Sequence, residues 1–97
     1  MERLPNIHPG EILKEEFLDP FGISAYRLSK EIKIPQTRIS QIIKGKRRIT
    51  ADTALRLSEF FGNSPQFWMG IQDDYDLEKE RIKIEEELKY ISKVKAS

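Results

Sequence analysis

The sequence predicts an all-α fold, and three observations carry that prediction. Apolar residues recur at helical spacing, as Leu28 with Ile32 and Ile39 with Ile42 and Ile43, and no stretch alternates as a half-buried strand would. Most of these runs are bracketed by capping or breaking residues. Ser24, Thr50 and Ser64 stand before runs, and Gly45 and Gly62 stand after them. The gaps between runs are short, as suits helices packed around one small core.

The first helix is expected over about residues 9–18. Pro9 suits a first turn, Glu11 lies near the positive end of the dipole, and Ile12, Leu13 and Phe17 face inward. Asp19-Pro20 is expected to stop it, because proline disfavours a helical residue before it. The second helix follows the Ser24 cap and runs to about residue 32, with Leu28 and Ile32 in the core. After the turn Lys33-Ile34-Pro35, the third runs to about Lys44 with Ile39, Ile42 and Ile43 inward and Gly45 just beyond its end. The fourth is capped by Thr50 and runs to about Phe61, with Ala54, Leu55 and Leu57 or Ser58 inward. The fifth is capped by Ser64, begins at Pro65 and carries Phe67, Trp68 and Ile71. Residues 76–94 read as a charged helix with a thin apolar stripe of Leu77, Ile84, Leu88 and Ile91. The organisation is thus a helical domain over 1–72 and a charged helical extension over 73–97.

Charge is distributed unevenly. Over residues 23–48 eight basic side chains oppose one acidic, a net +7, whereas the 97-residue chain carries only +1. Residues 73–97 hold six basic and eight acidic groups, a net −2. No apolar run approaches the ~18 residues that cross a membrane, and the first eleven residues lack the apolar core of a signal peptide. The chain has no cysteine and one histidine. Disulfides, thiolate metal sites and histidine-based triads within one chain are excluded, and a reducing cytoplasm is the expected setting. These facts argue against an enzyme, and no cofactor or metal is expected.

The cations gather around a helix–turn–helix. A helix that reads a major groove needs an apolar inward face and polar side chains outward. The third helix offers Gln36, Thr37, Arg38, Ser40, Gln41 and Lys44 outward. Glutamine can bond bidentately to adenine and arginine to guanine. Gln36, Thr37, Ser40 and Gln41 are the expected base-edge contacts, and Arg38 reaches a base or a phosphate. Lys44, Lys46, Arg47 and Arg48 are expected on the phosphate backbone, where they add affinity and salt dependence but little sequence information.

Four motifs together carry a resemblance: HPGEIL at 8–13, GKRRITADTALRL at 45–57, FFG with Ser64, Phe67 and Trp68, and Gln72 with YDL at 75–77. With them the chain resembles the Xre/Cro helix-turn-helix regulators and, within these, is similar to the HigA-type antitoxins, also described as plasmid-maintenance or virulence-associated antidote proteins. The resemblance implies a five-helix, lambda-repressor-like DNA-binding domain that forms a homodimer. It implies palindromic operator DNA as one partner and a HigB-type toxin, a small basic RelE-like ribonuclease that cleaves mRNA, as another. It implies work at the bacterial nucleoid. By position, Gln36, Thr37, Arg38, Ser40 and Gln41 correspond to the reading helix and Lys44, Lys46 and Arg47 to its phosphate-facing end; Arg27 is a further expected DNA contact. The dimer contact is expected from Phe67, Trp68, Ile71, Tyr75 and Leu77, an aromatic and apolar set.

Three positions depart from the family pattern. Ala25 replaces a frequent phosphate-contacting glutamine, Ser29 replaces a small tight-packing residue, and Lys33 stands where glycine is usual. A left-handed Lys33 would carry strain of roughly 1 kcal/mol. His8 reads as a capping residue rather than a metal ligand. Phe60, Phe61, Phe67 and Trp68 read as core or dimer contact rather than a ligand cage. Asp73, Asp74, Asp76 and Glu85–Glu87 read either as a solvated face or as an acidic surface for a cationic toxin. Two other functions stay open: a stand-alone repressor without a toxin, and a protein-interaction module in which the helix–turn–helix no longer binds DNA.

Overall fold

Each expected capping side chain does its work. In the computed structural model, which describes residues 5–95, Ser24 Oγ accepts from the Arg27 amide (3.0 Å) and Ser64 Oγ from the Phe67 amide (3.1 Å). Thr50 Oγ1 accepts from the Thr53 amide at 3.5 Å. These caps open α2 (Ala25–Ile32), α5 (Pro65–Lys83) and α4 (Ala51–Phe61). The helix α3 (Gln36–Ile43) starts after Pro35, and a short α6 (Glu85–Leu88) follows α5.

The first helix, α1, is longer than expected. It is α-helical over Pro9–Ile12, widens to a π-helical segment over Leu13–Leu18, and is α-helical again over Asp19–Phe21. Pro20 therefore does not end it. Proline lacks an amide hydrogen, and its ring crowds the carbonyl four residues back. Widening the ladder just before it, so that the Asp19 amide bonds to the Lys14 carbonyl five residues earlier, lets the chain pass through. The widened turn also brings Lys14 Nζ to 2.9 Å from Asp19 Oδ2. Gly22, left-handed at φ 64°, is the actual terminator.

The core gathers one or more residues from each of α1 to α5 and from the loops beside α3. Leu13, Leu18, Leu28, Ile32, Ile34, Ile39, Ile42, Ile49, Ala54, Leu57 and Trp68 are all buried. Trp68 lies 4.7 Å from Phe17, ring to ring, and its indole N–H donates to Asn63 Oδ1 at 2.9 Å. Phe17 also meets Phe61 and Phe67; of this aromatic group Trp68 is core, Phe60 and Phe61 pack partly buried against it, and Phe67 is exposed. Leu55, expected inward, is exposed. It neighbours the fully buried Ala54 on the helix but projects past the core face.

The expected charged helix over 76–94 is also revised. α5 runs unbroken through residue 72 to Lys83. The helix then breaks at Ile84 (φ −111°, ψ 19°), resumes for one turn, and residues 91–95 are not helical. The stripe there has nothing beneath it: Leu77, Leu88 and Ile91 are exposed, and only Ile84 is half-buried. Without a packed face, helix propensity alone sustains few turns.

Candidate nucleic-acid interface

The interface is built on α3. Its apolar side, Ile39 and Ile42, is almost fully buried against the domain. Positions 36, 37, 40, 41 and 44 recur at one to four residues and share the opposite face. Gln36, Thr37, Gln41 and Lys44 are exposed there, and Arg38 and Ser40 are half-buried at its margin. The sequence-predicted reading residues are thus brought together on one outward surface.

The end of α3 is fixed by a glycine turn. The Gly45 amide bonds to the Ile42 carbonyl (3.0 Å) and the Lys46 amide to the Gln41 carbonyl (2.8 Å), while Gly45 is left-handed at φ 77°. This pair of reversed hydrogen bonds satisfies carbonyls the helix leaves open and sets the direction of the basic loop. Lys44, Lys46 and Arg47 emerge exposed from it. Their cationic groups lie beside the negative end of the α3 dipole, which favours them there.

Two side chains flank this loop; the first caps α1 as its sequence position suggested, and the place of neither beside the loop was legible in the sequence. The first is His8. Its Nδ1 accepts from the Gly10 amide at 2.9 Å, and its ring meets Tyr75 edge-on at 4.9 Å and lies alongside Gly45. Burial lowers its pKa from the ordinary 6.5, against the opposing pull of Asp76. The second is Gln72, buried on α5. Its Oε1 accepts from the Ile49 amide at 2.7 Å, and its Nε2 donates to Asp76 Oδ1 at 2.9 Å. Asp76 Oδ2 in turn accepts from Arg48 at 3.0 Å. Arg48, expected on the DNA backbone, is therefore held by a carboxylate, and Asp76 belongs to an ion pair rather than to a free acidic face.

Arg38, Arg47, Arg48, Thr50 and Thr53 line a recess of about 250 Å³ beside the reading face. Arg27 lies elsewhere, exposed on α2 and lining a groove of about 310 Å³ with Phe21, Ile23, Phe60 and Phe61. The turn between α2 and α3 is left-handed at Lys33 (φ 60°, ψ 47°). Arg56 on α4 closes it by donating to the Ile32 carbonyl at 2.9 Å while pairing with Asp52 at 2.8 Å. Ser29 fits its tight site by donating to the Tyr26 carbonyl at 2.6 Å.

The expected dimer residues do not form one exposed patch. Trp68 is fully buried within the protomer, because its ring completes the core, so it is not offered to a partner. Phe67 is partly covered by Phe17, Ile71 packs against the core, and Tyr75 lies against His8. Leu77 is 60% exposed. Among the described residues, no helix is long and apolar enough to cross a membrane.

A buried-backed polar helix running into a fixed cationic turn defines a helix-turn-helix DNA-binding domain. The sequence pattern of the helix-turn-helix family matches residues 13–68. Virulence-associated protein I of Dichelobacter nodosus is 51% identical over 74 residues, spanning 76% of this chain and 68% of that protein. Antitoxin HigA-1 of Vibrio cholerae is 38% identical over 82 residues, spanning 84% and 77%. The solved Pseudomonas aeruginosa antitoxin HigA with the higBA promoter superposes with a TM-score of 0.89 at 36% identity, covering 94% of this chain and all of that one. This chain belongs to the HigA-type antitoxins of the Xre/Cro helix-turn-helix family.

Proposed function

We propose that this chain is the antitoxin of a toxin–antitoxin pair, which represses its own operon through operator DNA and neutralises a HigB-type toxin. One observation carries the DNA-binding half: the outward face of α3 ends in the glycine turn that projects Lys44, Lys46 and Arg47 beside it. A P. aeruginosa relative of the same fold is solved with its promoter. In the proposed complex Gln36, Thr37, Ser40 and Gln41 meet base edges, and Arg38 reads a base or a phosphate. Lys44, Lys46, Arg47 and Arg27 grip phosphates. Two copies place their α3 helices about 34 Å apart on a palindrome. The dimer contact uses the exposed members of the expected set, Phe67 and Leu77. The protein works in the cytoplasm at the nucleoid and carries out no catalysis.

The test is co-expression with the product of the nearest small open reading frame, tagged on that product, together with gel-shift of DNA upstream of the pair. A stable complex, relief of growth arrest and a shifted band establish the reading. A shifted band without complex or toxicity leaves a stand-alone repressor. The absence of both a complex and a shifted band refutes the proposal.

A further inference from the structure

The recess beside α3 is lined by three arginines, Arg38, Arg47 and Arg48, with Thr50 and Thr53. Such a set suits a phosphate oxygen cluster. Among the described residues Arg38 and Arg47 have no ion-pair partner, whereas Arg48 is bonded to Asp76 at 3.0 Å. The pair is open to solvent, at 49% and 41% side-chain exposure, so it is weak and a phosphate can displace it. Asp76 is itself held: Gln72, buried to 1% exposure, donates to its other oxygen and anchors the Ile49 amide. The carboxylate is thus positioned by a buried side chain at the rim of a cationic recess.

We infer that Asp76 is an intramolecular counter-ion that competes with a DNA backbone phosphate for Arg48, and so sets the affinity and salt dependence of the interface. This rests on the DNA-binding reading above. Asp76 is a positioning residue: it contacts no nucleic acid and acts through Arg48. The unpaired protein keeps Arg48 partly neutralised, so non-specific attraction to DNA is restrained while the reading face is unaffected. Asp76→Asn keeps an oxygen acceptor for Gln72 while removing both the charge and the acceptor that holds Arg48.

The experiment measures binding of the full chain to a mixed-sequence duplex of about three helical turns across a salt series, for wild type, Asp76→Asn, Arg48→Gln and the double variant. Exposed Asp74→Asn on the same helix controls for net charge. Asp76→Asn is expected to bind about three- to tenfold tighter near 0.15 M salt, with the log–log salt slope steeper by about 0.9, one added phosphate contact. Arg48→Gln is expected to weaken binding less in the wild-type background than in the Asp76→Asn background, and to abolish the Asp76→Asn gain. Equal tightening by Asp74→Asn, or an Arg48→Gln loss of the same size in both backgrounds, overturns the inference. Wild-type binding with no Asp76→Asn effect overturns this inference alone, and wild-type failure to bind the duplex at any salt overturns the DNA-binding reading with it.

Discussion

Gly10 sits against the backbone carbonyl of Ile42 so closely that a methyl group on its α-carbon would overlap the oxygen. The start of α1 is thereby clamped onto the last turn of α3. His8 caps the same turn of α1 and lies alongside Gly45 just beyond α3. The glycine is required for proximity, since helical backbone geometry alone would accept alanine.

Gly10→Ala is expected to destabilise the fold by about 1–3 kcal/mol, as overpacking against rigid backbone does. Urea unfolding measures it. Because the strain falls on Ile42, operator affinity should also drop at temperatures where the variant is still folded. A variant as stable as wild type would contradict the contact.

Lys33→Gly is expected to act in the opposite direction. Lys33 is the non-glycine residue at positive φ among those described. Its left-handed backbone costs a side-chain-bearing residue roughly 1 kcal/mol, which glycine would not incur. The denaturation midpoint should rise accordingly with an unchanged m-value. Arg56, which closes the same turn by donating to the Ile32 carbonyl, gives this loop a second support.

Much of this was readable from local chemistry. Ser24, Thr50 and Ser64 declare their helices because a cap needs only a neighbouring amide, and Gly45 and Gly62 declare their ends for the same reason. The outward set on α3 follows from periodicity once Ile39 and Ile42 are assigned inward. The misses share a cause in long-range or non-standard geometry. The π-helical segment that carries α1 past Pro20 has no sequence signature. Gln72 is 23 positions from the Ile49 amide it satisfies, so its role is invisible before the fold exists. Trp68 looked like an interface aromatic because composition cannot say which aromatic fills the core.

His8 predicts an acid-sensitive fold. Its folded pKa lies below the ordinary 6.5, chiefly through burial, which outweighs the raising influence of Asp76 and Glu11; Lys79 adds to the lowering. The folded state therefore binds fewer protons than the unfolded one between the two values. The contribution is complete above about pH 6.5 and is lost as pH falls through the folded pKa. Protonation also removes the Nδ1 acceptor from the Gly10 amide. The thermal midpoint should be lower at pH 5 than at pH 7.5. His8→Asn, which keeps a capping oxygen but does not titrate, should show a smaller drop. Equal drops in both proteins would remove His8 from the cause.

Arg38→Ala combined with Gln41→Ala tests the reading face. Neither side chain makes a hydrogen bond within the protein among the described residues, and Gln41 is exposed, so the thermal midpoint should hold within a degree or two of wild type. Operator binding should weaken by about 2–5 kcal/mol for the pair. Lys46→Ala offers the contrast. It should weaken operator and unrelated duplex alike and reduce the salt slope by about one phosphate's worth. The double variant should instead lose most on the operator, narrowing the ratio between specific and non-specific binding. Undiminished operator binding by Arg38→Ala with Gln41→Ala would mean that α3 is not the helix that reads the sequence.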